Sequence, residues 1–254
     1  DTPLYELGIT GIFTKTLDVA MLNNTVDIAV HSLKDVPTAL PKGIVQAAVL
    51  KRASTLDILV TKEVVDYTKS CTIATGSLRR KAQWLHKYPT HTVVDLRGNV
   101  NTRLQKLQDN SWQGAIFAKA GLERIDVLPS RYTSLDWMTP APAQGAMTIV
   151  ALEKDPFCIE ATQKLNDTPS QICTQIERDF LRTLEGGCTA PIGALAKIKG
   201  NTIEFKGCLL SLDGTKKIAI EKTISLDLAA KAGDVFAKEV LQKVKSISSA
   251  RIYN

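Results

Sequence analysis

Along the first half of the chain, short apolar runs alternate with longer stretches that carry apolar residues at helical spacing. Val26-Asp27-Ile28-Ala29-Val30 reads as a buried strand ending at His31-Ser32. Cys71-Thr72-Ile73-Ala74 is a second strand, closed by Thr75-Gly76-Ser77. Leu78, Ala82 and Leu85 then recur at i, i+4 and i+7, which predicts a helix with Ser77 as its N-cap. The pattern repeats: His91–Leu96 as strand, Arg97-Gly98-Asn99 as turn, Val100, Leu104 and Leu107 as a helix face, and Ala115–Ala118 as another strand. Alternation of this kind predicts a parallel-rich α/β sheet with ligands at the C-terminal ends of its strands.

The pattern changes near Thr168. Thr168-Pro169-Ser170-Gln171 fits a helix start with Thr at N-cap, Pro at N1 and Gln at N3. Ile172, Ile176, Phe180 and Leu184 line one face of that helix, and Gly186-Gly187 is expected to end it. Strand-like runs follow around 195–198, 203–210 and 217–224, separated by hairpin signals at Gly200-Asn201 and Asp213-Gly214. An amphipathic helix from about Leu226 to Val244 completes a small α+β unit.

Composition narrows the function classes. With 254 residues and 44% hydrophobic content, two or three modest domains are expected, and no apolar run is long enough for a membrane span. The five cysteines are odd in number, widely spaced and without a CxxC pair. A reducing cytoplasm therefore suits them better than a disulfide scaffold or a zinc site. Three histidines in no HxxxH arrangement give no metal signal. The net charge of +6 comes with only 6% aromatics and no aromatic–basic interleaving. That argues against nucleic acid and for a bound polycarboxylate. The start, Asp1-Thr2-Pro3, is not a signal peptide, and the chain is read as processed, trimmed or partly represented.

Three clusters carry candidate chemistry. In His31-Ser32-Leu33-Lys34-Asp35-Val36-Pro37, an Asp beside a Lys at a strand end suits stabilisation of a cation and proton transfer. A solvated surface ion pair is the plainer alternative. Gly76-Ser77-Leu78-Arg79-Arg80 and Arg97-Gly98-Asn99 with Arg103 each place helix-start N–H groups beside arginines, an arrangement suited to carboxylates. Arg124 could join them. Taken singly, any of these arginines could equally lie on a solvated helix face. Leu184-Glu185-Gly186-Gly187-Cys188 leaves a thiol on a glycine turn, where it is either an anchor or an inert small hydrophobe.

Together these runs resemble the porphobilinogen deaminase family. The matching segments are 27–37, Thr75–Arg80, Leu96–Val100 with Arg103, Pro142-Ala143-Gln144-Gly145-Ala146 and Leu184–Cys188, all in the family's order. The resemblance implies two periplasmic-binding-protein-like α/β domains flanking a cleft, plus a small α+β C-terminal domain. The expected boundaries are 1–50 with 145–168 for the first, 51–144 for the second and 169–254 for the third. It implies a cytoplasmic, monomeric transferase that deaminates porphobilinogen and joins four such molecules head to tail into the linear tetrapyrrole hydroxymethylbilane. The reaction runs on a dipyrromethane cofactor held by a thioether at Cys188.

Under the resemblance, Asp35 and Lys34 are catalytic, and Lys34, Ser77, Arg79, Arg80, Arg97 and Arg103 hold the cofactor and growing polypyrrole. Phe13, Arg124 and Gln144 contact substrate. Each ring brings an acetate and a propionate, which accounts for arginine over lysine along the cleft. Family members usually begin earlier, with a strand and helix containing an Arg-x-Ser motif. Thr10 stands where a Lys is common in the loop Gly8–Phe13, which is expected to act as a lid. Two other classes fit parts of the pattern. A non-catalytic two-lobed anion receptor would leave Cys188 and Asp35 unused, and a cysteine-nucleophile enzyme would need a base near Cys188.

Overall fold

The computed structural model describes residues 14–184 and 190–246. In chain order these form α1 (Lys15–Leu22), β1 (Ile28–Ser32), β2 (Ile44–Val49), β3 (Asp57–Thr61), β4 (Thr72–Ala74) and α2 (Leu78–Lys87). Next come β5 (Thr92–Val94), α3 (Val100–Asp109), β6 (Gly114–Ala118), α4 (Lys119–Arg124), β7 (Tyr132–Ser134) and β8 (Met147–Leu152). The chain continues through α5 (Pro156–Gln163), α6 (Thr168–Leu184), β9 (Ile192–Lys199), β10 (Thr202–Leu210), β11 (Lys217–Ser225) and α7 (Ala229–Ser246).

Three sheets organise these elements, as the expected pair of α/β units and α+β tail require. The first has the order β1-β8-β2 and is antiparallel throughout. Met21 of α1 packs with Ala29, Ile44, Val150 and Leu152 on one of its faces. The strand expected to be buried, β1, is instead an edge among the described residues. Ala29 points into the core, while Ile28 and Val30 are 37% and 48% exposed. Successive side chains point to opposite faces of the sheet, and α1 covers only the face to which Ala29 points, so the alternation leaves Ile28 and Val30 outside.

The second sheet has the order β5-β4-β6-β3-β7. Only β4 with β5 and β4 with β6 are parallel, whereas β3 runs antiparallel to both its neighbours. The sheet is therefore mixed rather than parallel-rich. The βα repeats read from the sequence build its parallel part, and the two strands outside that repeat enter from the chain crossings. These crossings, near residues 50–56 and 139–146, touch each other: the Ala53 N–H donates to the Gly145 carbonyl at 3.1 Å. Gly145 has φ +85°, and a Cβ there would lie 2.5 Å from the Ser54 carbonyl oxygen, so the crossing admits only glycine.

The third sheet, β11-β10-β9, is an antiparallel meander covered by α6 and α7. The predicted face of α6 is the one used: Ile176, Phe180 and Leu184 pack against Ile203, Phe205, Phe236 and Val240. Gly233 lets the two helices meet, since a Cβ there would sit 2.2 Å from the Ile176 carbonyl oxygen. The N-cap of α6 is one residue earlier than expected. Asp167 Oδ2 accepts from the Ser170 N–H at 3.0 Å, which makes Thr168 the first helical residue. Aspartate ranks above threonine as an N-cap. The expected Gly186-Gly187 stop lies outside the described residues. Among the described residues, no helix is long and apolar enough to cross a membrane, and no His/Cys/Asp/Glu cluster could hold a metal ion.

Candidate active site

The end of β1 sets the first side of the site. Its chain turns through a single 3-10 turn, Leu33–Asp35. Leu33 and Val36 are buried, and the Leu33 N–H donates to the Ala146 carbonyl at 2.9 Å. With both flanking side chains drawn inward, Lys34 and Asp35 are the two residues displayed outward.

The second side comes from the starts of α2 and α3. Ser77 Oγ accepts from the Arg80 N–H at 3.4 Å and Asn99 Oδ1 from the Thr102 N–H at 2.9 Å, so both strand-end turns are capped as the sequence predicts for Ser77. The two turns lie side by side: a Cβ on Gly76 would sit 2.6 Å from the Leu96 carbonyl oxygen. Beside the first turn, against β5, is a recess of about 300 Å³ lined by Thr75, Gly76, Ser77, Leu78, Lys81 and Asp95, among others. Lys81 was not among the expected site residues. Its one-turn spacing from Ser77 was the available signal.

Electrostatics ties the two sides together. Asp35 is open to solvent yet crowded by protein, and this desolvation raises its carboxyl above the ordinary aspartate value. Lys34, Arg103, His31 and Arg80, in that order, pull it back down. Lys34 is lowered to about 8, first by the same crowding and then by Arg80. Arg103 is lowered by desolvation and by Arg97. Six expected residues (Lys34, Asp35, Arg79, Arg80, Arg97 and Arg103) thus feel one another's charge, and the cations outnumber the acids. Arg103 Nε also donates to the Gly98 carbonyl at 2.7 Å, and Arg97 lies 3.9 Å from Asp95.

Beneath this surface lies an aspartate the sequence reading overlooked. Asp57 is fully buried, and its Oδ2 accepts from Arg79 Nη1 at 2.7 Å. Its Oδ1 accepts from Arg80 Nε at 2.9 Å and from Gln144 Nε2 at 3.0 Å. Arg79 also donates to the Thr139 carbonyl and Arg80 to the Ile116 carbonyl. The two arginines are therefore buried and largely committed to protein acceptors. Gln144, expected to touch substrate, is fully buried, with its amide shared between Thr55 O and Asp57. The overlooked signal was an aspartate opening the otherwise apolar strand β3, a buried charge that demands partners.

The guanidinium groups of Arg79 and Arg80 overcome the cost of burial and hold the Asp57 carboxyl well below the usual range. A depressed folded-state value means that its contribution is complete above about pH 4 and fades as pH falls below that. Asp57→Asn is expected to be less stable than the parent at pH 6, with the gap narrowing as the pH is lowered from 4 toward 2. Urea midpoints of the two proteins across that range check it, and a gap independent of pH would refute the assignment.

Arg124 sits exposed in the last turn of α4, the short helix that follows β6. Among the described residues its side chain makes no hydrogen bond or ion pair, and it is absent from the charges acting on Asp35, Lys34 and Arg103. Cys188 and Phe13, with the loop holding Thr10, lie outside the described residues.

Comparison with known proteins supplies the family. A family model described as "Porphobilinogen deaminase, dipyromethane cofactor binding domain" matches residues 1–160, and "Porphobilinogen deaminase, C-terminal domain" matches 171–242. The porphobilinogen deaminase of Campylobacter hominis is 41% identical over 89% of this chain and 75% of its own length. That of Nitratiruptor sp. is 41% identical over 98% and 84%. Among solved structures, the second substrate binding domain of a putative amino acid ABC transporter from Streptococcus pneumoniae is similar over 59% of this chain and 69% of its own. The identity there is 11% and the TM-score 0.40. Two family models that together take in most of the chain, and relatives this similar over three quarters or more of their length, lead to one conclusion: the chain belongs to the porphobilinogen deaminase family.

Proposed function

We propose that this chain deaminates porphobilinogen and condenses the pyrrole units head to tail at the site where Asp35 meets Lys34, Arg80 and Arg103. The observation that carries this reading is the turn after β1, which buries Leu33 and Val36 and displays Asp35 and Lys34 outward, within reach of the charges of Arg80 on α2 and Arg103 on α3. Loss of ammonia from porphobilinogen leaves a cation delocalised onto the pyrrole nitrogen. An aspartate opposite that N–H stabilises the charge and accepts the proton released when a new ring is joined. The raised value brings the carboxyl nearer to the range where it can both accept and return a proton.

The residues present fit an anionic cofactor. Lys34, Arg97 and Arg103 add positive charge around the site, while Asp57 neutralises only one of the two charges of Arg79 and Arg80. Dipyrromethane, when bound, supplies the nucleophilic pyrrole carbon on which the chain is extended. Cys188 is the anchor in this reading. Ser77, Arg97, Arg103 and Lys34 receive carboxylates directly. Arg79 and Arg80, fixed from below by Asp57, offer the donors they have left. Arg124, Phe13 and Gln144 are the proposed substrate contacts, with Gln144 acting through Arg79, to which its Oε1 lies 3.5 Å away.

We also propose the domain division 1–50 with 145–168, 51–144 and 169–254, supported by the three separate sheets. A monomer in the cytoplasm suits the free thiols of Cys71, Cys158, Cys173 and Cys208.

The direct test is the intact mass of the purified protein beside Cys188→Ser. An excess equal to two linked pyrrole units, present in the parent and lost in the variant, is the expected result. A parent that stays unmodified after incubation with porphobilinogen would overturn the reading and favour the anion receptor.

A further inference from the structure

Residues that hold Asp35 from behind are not identified by the reaction itself. The carbonyls of the turn that carries it are drawn into the protein, where each needs a donor. Arg178 of α6 provides them: Nη1 donates to the Leu33 carbonyl at 3.1 Å and the Val36 carbonyl at 2.9 Å, and Nη2 to the Pro37 carbonyl at 2.6 Å. Arg178 is 8% exposed, and it reaches this turn from the third sheet's helix, more than 140 residues away in sequence. The accepting carbonyls bracket Lys34 and Asp35 on both sides.

We infer that Arg178 is a positioning residue for the reaction: its guanidinium fixes the Leu33–Pro37 turn so that Asp35 keeps one geometry relative to the end of α6. This inference rests on the reading of Asp35 given above. The helix gives it reach. From Arg178 to Leu184 is six residues of continuous helix, about 9 Å at the usual rise, and Cys188 follows shortly in sequence. A reaction whose growing chain is tethered on one unit and processed on another depends on the relative placement of the two. Misplacement by about 1 Å costs rate rather than binding. The neighbouring Glu177 ties the same helix to Arg52 at the chain crossing, so consecutive residues of α6 grip the crossing and the catalytic turn. The guanidinium spreads its donors over two nitrogens in a rigid plane, whereas a lysine ammonium gathers its three donors on one atom and matches the spacing of these carbonyls less well.

The test compares Arg178→Met and Arg178→Lys with the parent and with Asp35→Ala, in the purified protein. It follows kcat and KM for porphobilinogen, cofactor content by intact mass, and hydrogen exchange of the amides in residues 33–40. For Arg178→Met, kcat per loaded molecule should fall 10- to 100-fold with KM within about threefold. Exchange should rise at least tenfold in residues 33–40 and little in the third sheet. Arg178→Lys should fall between the two. A kcat loss at nearly unchanged KM in folded, fully loaded protein, partly rescued by lysine, is the readout that a purely structural role would not produce.

A loaded Arg178→Met with parental kcat would overturn the inference, as would exchange rising equally throughout the chain. Should the Met variant fail to fold, an Arg178→Lys protein matching the parent in both kcat and exchange would overturn it. If Asp35→Ala keeps its turnover, the reading of Asp35 falls and this inference with it. If Asp35→Ala is inactive and Arg178→Met is not, the inference alone falls.

Discussion

Asp35→Asn is expected to lose roughly 10²- to 10⁴-fold in porphobilinogen turnover per loaded molecule, with little change in stability. The side chain is exposed and makes no hydrogen bond to another described residue, so its removal leaves no buried partner unsatisfied. What disappears is the outward-facing negative charge that Lys34, Arg103, His31 and Arg80 act on and, with it, the proton acceptor. Asparagine keeps the shape, so a large kcat loss at unchanged thermal stability isolates the charge. Because crowding by protein raises the carboxyl, the acid limb of the parental profile should lie above the ordinary aspartate range, and turnover should rise with pH as the carboxylate forms. The alkaline limb has its own source. Lys34 loses its charge as pH rises through about 8, and Asp35 then loses its largest cationic neighbour. Lys34→Arg, which does not titrate there, should flatten that limb. An Asp35→Asn protein retaining most of its turnover would remove Asp35 from the mechanism.

The parts of this site that could be read from sequence are those with local causes. Ser77 lies next to the helix it caps, and the Gly200-Asn201 and Asp213-Gly214 turns separate neighbouring strands, so short windows sufficed. The family resemblance then named which strand-end cations belong together. What could not be read depends on partners distant in sequence. Leu78, Ala82 and Leu85 predicted an apolar inner face for α2, but the buried residues include Arg79, Arg80 and Gln83. Asp57, more than twenty residues upstream, makes burial of the arginines favourable, and Thr139 receives Gln83. The direction of β3 is likewise set by β6 and β7, which no local pattern identifies. Sequence thus showed which residue types the site needs. It did not show which of them display charge and which hold the displaying residues in place.

The largest expected effect on stability comes from such a holding residue. Glu177 is fully buried and accepts four hydrogen bonds. Arg52 Nη1 and the Ala196 N–H reach Oε1 at 2.6 and 2.8 Å, and Arg52 Nη2 and the Ala143 N–H reach Oε2 at 2.9 and 2.7 Å. Arg52 in turn donates from Nε to the Gln144 carbonyl at 2.9 Å, and its backbone N–H to Ser170 Oγ. One carboxylate thereby joins both chain crossings to α6 and β9. Glu177→Ala leaves a buried guanidinium and two buried amides without their acceptor, and should cost about 3–5 kcal/mol. Removing both charges is the milder change, because the cost lies in stranding one partner rather than in losing the attraction. The Arg52→Met, Glu177→Met double variant should therefore be more stable than Glu177→Ala, although its two amides still lack an acceptor. Urea unfolding of the single and double variants measures this. If the double variant were no better than Glu177→Ala, the stranded charge would not be the source of the loss, and the amides of Ala143 and Ala196 would carry it instead.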